Sequence, residues 1–84
     1  MSNEAKELII GDRTGFIVKQ IRLQLNCTQK ELGKKIGIDQ STLCQIERRH
    51  ILPKESTLQK LAHIAGVSVY QLTGQEPINY RFVS

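Results

Sequence analysis

What this chain lacks removes most chemistries at once. Its two cysteines, Cys27 and Cys44, have no C-x-x-C spacing, which excludes a disulfide framework and the usual zinc arrangements. Its two histidines, His50 and His63, have no Cys or His at metal-ligand spacing and no evident nucleophile beside them. No glycine-rich phosphate loop is present. An enzyme, a cofactor and a metal are therefore not expected. No stretch approaches the roughly 20 apolar residues of a membrane span. The opening MSNEAKELII has neither the basic start nor the apolar length of a secretory signal. A cytoplasmic protein with no membrane partner is the expectation. With 84 residues there is room for one core.

The charge that is present is unevenly placed. Residues 13–54 hold nine Lys and Arg against three Asp and Glu, a net +6, while the remainder carries −2. A concentration of positive charge on one segment suits a polyanion partner.

That segment contains the stretch around which the chain is organised, residues 28–49, TQKELGKKIGIDQSTLCQIERR. Thr28 and Glu31 form a T-x-x-E capping box, and Leu32 and Ile36 lie four apart on one helical face. Gly37 breaks this helix where positive φ is required. Asp39 offers a cap for the next helix, whose inner face carries Leu43 and Ile46. Gly33 falls where the two helices would cross. Two short capped helices around a glycine turn, with basic flanks, form a helix-turn-helix pattern. Before them, Val18, Ile21 and Leu25 give residues 13–25 a buried helical face, with Phe16 or Ile17 at its edge and Asn26 as a left-handed stop. After them, Leu58, Leu61, Ala62 and Ala65 predict a fourth helix over about 55–65, ending at Gly66. Ser68 caps a fifth, with Val69, Tyr70 and Leu72, ending at Gly74.

The joint set Thr28-Gln29-Glu31-Leu32, Gly33, Ile36-Gly37, Asp39-Gln40-Ser41-Leu43 and Ile46-Glu47-Arg48 resembles the lambda and 434 repressor and Cro family, also called the XRE family. The resemblance continues through Pro53, Thr57-Leu58, Leu61-Ala62 and Gly66-Val67-Ser68-Val69, covering residues 13–74. It implies an all-α, five-helix DNA-binding domain; the polar lead-in before it reads as an arm (1–12), and the tail after it (75–84) departs most from the family's pattern. It also implies a bacterial or phage-encoded, nucleoid-associated regulator that binds double-stranded operator DNA as a homodimer.

Site residues follow from chemistry and from that resemblance together. The outward positions of the third helix hold Gln40, Ser41, Cys44 and Gln45, with Asp39 at the leading edge, where capping competes with base contact. Gln pairs bidentately with adenine, Ser donates or accepts, and a thiol behaves as a small hydrophobe against a thymine methyl. Oxidation of Cys44 would block the groove, but nothing in the sequence points to a lowered thiol pKa. Phosphate contacts are assigned to Gln29 at a helix N-terminus, to Lys30 and Thr42, and to Arg48, Arg49, His50 and Lys54 around the exit of the third helix. For Lys30, as for Lys34 and Lys35, a solvated face is the competing reading. The family implies an Arg22–Glu47 ion pair, and a leucine where Cys27 stands, so Cys27 is read as a packing residue. Arg49 replaces a family glycine, so either it adopts positive φ or the helix exit is altered. His63 is expected on the flank of the fourth helix.

In the family the last helix and its loop help form the dimer, which points to Val69, although Gln71 replaces an often apolar residue. In the tail, Ile78, Tyr80 and Phe82 alternate with Asn79 and Arg81 as in a β-strand. A lone strand must pair, either with the same tail of a second subunit or by folding back on its own helices. The first arrangement adds Ile78, Tyr80 and Phe82 to the dimer contacts. A second class of function is a protein-interaction module, such as an antitoxin or a phage regulator whose tail binds a protein partner.

Overall fold

A computed structural model describes residues 12–78. Five helices follow in order: α1 (Asp12–Gln24), α2 (Gln29–Ile36), α3 (Gln40–Glu47), α4 (Glu55–Ala65) and α5 (Val69–Leu72). The described residues contain no strand. Residues 1–11 of the arm and 79–84 of the tail, with Tyr80 and Phe82, lie outside the described residues, while Asp12, expected in the arm, opens α1. No helix in the described residues is long and apolar enough to cross a membrane.

Three of the helix starts are fixed by a local side-chain bond. The Thr28 hydroxyl accepts from the Glu31 N–H at 3.0 Å while the Glu31 carboxylate accepts from the Thr28 N–H at 2.9 Å, which closes the capping box. Asp39 accepts from the Thr42 N–H at 2.8 Å. Ser68 begins α5 with a second box, closed by Gln71. The polar residue at a family apolar position is thus a capping partner. Helix α1 ends one residue earlier than its apolar pattern suggests. Asn26 turns left-handed at φ 58, and the Cys27 and Asn26 N–H groups bond back to the Arg22 and Leu23 carbonyls. Leu25 is left half-buried on the turn instead of on the helical face.

The core takes Ile17, Val18 and Ile21 from α1, Leu32 and Ile36 from α2, and Leu43 and Ile46 from α3. Leu58, Leu61, Ala62 and Ala65 of α4 and Leu72 of α5 complete it. At the edge of α1, Ile17 turns inward and Phe16 stays 53% exposed. Gly33 permits the close crossing of α2 with the start of α3, since a Cβ there would stand 2.6 Å from the Ile38 carbonyl oxygen. At the other end of the chain, Val69 and Ile78 pack partly buried against this same core. The Gln71 side-chain amide also donates to the Pro77 carbonyl at 2.9 Å.

The caps carry a pH signature. Bonds from the Thr28 backbone N–H, then its hydroxyl, hold Glu31 below its ordinary value of 4.5. Bonds from the Thr42 hydroxyl and N–H hold Asp39 below 3.8. Both depressed values mean that the unfolded chain takes up these protons first. The contribution is therefore complete above about pH 5 and is lost as pH falls through the folded values. Melting temperature should drop below about pH 4.5, and the drop should be shallower in a Glu31→Gln/Asp39→Asn double variant. An unchanged slope would show that the caps do not titrate.

Candidate nucleic-acid interface

The start of α2 and the outer face of α3 meet at one open concavity of about 620 Å³, lined by Gln29, Asp39, Gln40, Ser41, Cys44, Gln45 and Arg48. Helical periodicity produces this face. Leu43 and Ile46 are buried at 0% and 3%, so residues 40, 41, 44 and 45 turn outward together. Gln40, Ser41 and Gln45 are exposed, and Cys44 is half-buried with a free thiol. Asp39 lines the rim, but its carboxylate is already committed to capping α3.

Behind the concavity lies a buried ionic network. The Arg22 Nε and Nη2 donate to the two Glu47 carboxylate oxygens at 2.7 and 3.1 Å, a two-pronged pair. Their side chains are only 12% and 3% exposed. Arg22 Nη1 donates to the Cys27 carbonyl at 2.9 Å, and Gln29 Nε2 donates to Glu47 Oε1 at 3.1 Å. One carboxylate at the end of α3 therefore ties α1 to the first residue of α2, and Arg22 extends the link to the turn after α1. The Gln29 amide is held at the N-terminus of α2, beside amides that leave partial positive charge there.

Not every sequence-assigned residue shares this face. Thr42 and Lys54 line a different concavity, with Gly37, Ile38, Ile46, Ile51, Leu52, Pro53 and Thr57. Lys30, Arg49 and His50 are exposed outside both. Cys27 is half-buried against the core, and its Sγ lies 3.6 Å from the Leu25 carbonyl oxygen. His63 is exposed on α4.

Arg49 adopts φ 66, so the altered exit is not needed. Its N–H bonds to Ile46 and that of His50 to Gln45, which closes α3 as glycine would. A left-handed conformation costs an L-residue about 1–2 kcal/mol, part of which glycine returns as unfolded-state entropy. Arg49→Gly should raise the unfolding free energy by about 0.5–1 kcal/mol in urea denaturation. A loss of stability would mean that the arginine stem packs more than the strain costs.

Gly15 of α1 belongs to no motif in the sequence, yet it faces the exit of α3. A Cβ there would run into the Ile46 carbonyl oxygen and come within 2.9 Å of Arg49 Cγ. A glycine isolated inside a helical pattern is the one signal of this role that the sequence offers.

Comparison with known proteins follows the same outline. The model of the helix-turn-helix family matches residues 18–72. The immunity repressor protein of Bacillus phage phi105 is 34% identical over 64 residues, which cover 76% of this chain and 44% of that protein. The chain thus spans less than half the length of that relative. The P22 c2 repressor protein, solved in complex with a synthetic operator, superposes with a TM-score of 0.71 at 24% identity. The match covers 79% of this chain and all of that one, a likeness of fold.

Proposed function

The chain belongs to the helix-turn-helix family and carries the lambda/434-repressor type of that domain, and on that premise we propose that it represses transcription by binding a specific double-stranded DNA operator. The observation that carries this reading is the convergence of Gln29, Gln40, Ser41, Gln45 and Arg48 on one open face of α2 and α3. The division of labour follows from reach. Gln29 and the α2 N-terminus engage a phosphate, with Arg48, Arg49, His50 and Lys30 along the flanks, and these contacts fix the register. Gln40, Ser41 and Gln45 then meet base edges in the major groove, with the Cys44 sulfur against a thymine methyl. Thr42 and Lys54, which line the neighbouring concavity, reach the phosphates beyond the α3 exit. Two copies on an inverted repeat would set their recognition helices about 34 Å apart, one DNA turn. Val69 and the tail residues Ile78, Tyr80 and Phe82 are candidates for the contact between copies, although Val69 and Ile78 already pack partly on their own core.

Selection from random duplexes at two salt concentrations tests the proposal. A palindromic motif is expected, with log K falling against log salt at roughly −7 for about eight phosphate contacts per dimer. Gln40→Ala should relax one position of the motif, costing about 1–3 kcal/mol of discrimination there and little elsewhere. Salt-sensitive binding with no recovered motif would overturn specific readout.

A further inference from the structure

A second basic surface lies away from the recognition helix. Lys35 of α2 and Ser56, Gln59, Lys60, His63 and Ile64 of α4 line an open groove that shares no residue with the concavity around α3. Lys35 follows Gln29 by six residues, which turns it about 120° around α2 and moves it about 9 Å along the axis. A duplex seated on Gln29, Gln40 and Gln45 therefore faces the other flank of α2. The groove differs from an ordinary solvated charge run because its cations come from two helices and flank an apolar floor. Ile64 is half-buried against the core between them. The Lys60 ammonium stands 3.2 Å from where a Gly37 Cβ would be, over the C-terminal end of α2, where a cation is favoured. Among the described residues no carboxylate lines the groove. Glu31, the acid on α2, is engaged in the Thr28 capping box and feels the charge of Lys35, and Glu55 on α4 accepts from Gln59 at 3.5 Å; neither acid lines the groove.

We propose that this groove docks an acidic segment of a partner protein, with carboxylates on Lys35 and Lys60 and an apolar side chain resting on Ile64. Charge complementarity selects the occupant. Two cations about an apolar floor suit a segment alternating acidic and aliphatic residues, and Ser56, Gln59 and His63 offer further polar contacts at the rim. Such a partner would bind while the α3 face stays free, so the surface gives the domain a route to protein contact without releasing DNA.

The test is an amide NMR titration of the whole chain with an acetylated peptide of four Glu-Glu-Leu repeats. Saturable shifts are expected at Lys35, Lys60, His63 and Ile64. Lys35→Glu/Lys60→Glu should weaken the peptide at least tenfold, and the milder Lys35→Gln/Lys60→Gln pair should weaken it severalfold with the fold intact. Affinity of the glutamine pair for a random-sequence duplex, read at about 0.15 M salt where charges beyond roughly 8 Å are screened, should stay within about threefold of the parent. Shifts centred on Gln40–Arg48 would show the peptide acting as a mimic of DNA, and the proposal would fail. It would fail equally if no saturable shift occurred, or if the glutamine pair lost duplex binding as strongly as peptide binding. Because the duplex arm is read separately, loss of DNA binding by the parent chain would instead count against the repressor reading.

Discussion

Replacing Glu47 with alanine should cost about 3–5 kcal/mol of folding stability, the expected penalty for leaving a buried charge unpaired. A single domain holds only about 5–15 kcal/mol in total, so the loss removes at least about a fifth of it. The size follows from how much one carboxylate holds. It accepts both Arg22 bonds and the Gln29 bond while only 3% exposed. Removing it strands the guanidinium with the Cys27 carbonyl as its remaining bond among those described, and frees the Gln29 amide. A pair of apolar substitutions, Arg22→Met with Glu47→Leu, should recover most of the loss, because buried ion pairs often do no better than packed hydrocarbon. The recovered protein should still bind DNA more weakly than the parent, since nothing then orients Gln29. Urea denaturation of the two single variants and the double gives the coupling energy. If Glu47→Ala cost under about 1 kcal/mol, the network would be worth no more than a surface pair.

Gly15→Ala carries the second large effect, and here helix propensity and tertiary packing predict opposite signs. In a helix interior, alanine ordinarily gains up to about 1 kcal/mol over glycine. At Gly15 the added methyl meets the backbone of α3: the Ile46 carbonyl oxygen, with the Glu47 carbonyl oxygen at 3.3 Å. Backbone cannot rotate aside as a side chain can, so α1 must back away from the α3 exit. Overpacking of this kind costs about 1–3 kcal/mol, and a backbone contact this short belongs at the upper end, so the net change should be a loss of up to about 2 kcal/mol. The displacement also disturbs the Arg22–Glu47 pair, which spans the same two helices, so DNA affinity should fall more than stability alone accounts for. Thermal melts and duplex titrations of the one variant check both. A stabilised Gly15→Ala protein would mean that the helices separate freely and that their close approach is not needed for binding.

Leu52 is 60% exposed and Ile51 38% exposed in the loop after α3, where both line the concavity shared with Thr42 and Lys54. The phosphates placed beyond the α3 exit would run past this loop.

What the sequence determined by itself depends on neighbours within about four positions. Thr28 with Glu31, Asp39 with Thr42, the left-handed turns at Asn26 and Gly37, and the inward pairs Leu32–Ile36 and Leu43–Ile46 are short-range signals. The same spacing that buries Leu43 and Ile46 exposes Gln40, Ser41 and Gln45 and turns Cys44 outward with them, so helical periodicity alone sets the composition of the outer face of α3. Tertiary structure alone decided what depends on chain segments meeting across a distance. Gly15 acquires its role from a helix end about thirty residues away. Gln29 owes its orientation to a carboxylate eighteen positions later. Ile78 and Gln71 are drawn into their own domain by the core and by Pro77. The groove between Lys35 and Lys60 exists only because α4 packs beside α2. Local patterns record the backbone's own preferences, which persist wherever the segment sits, whereas a contact between distant residues depends on how the whole core closes.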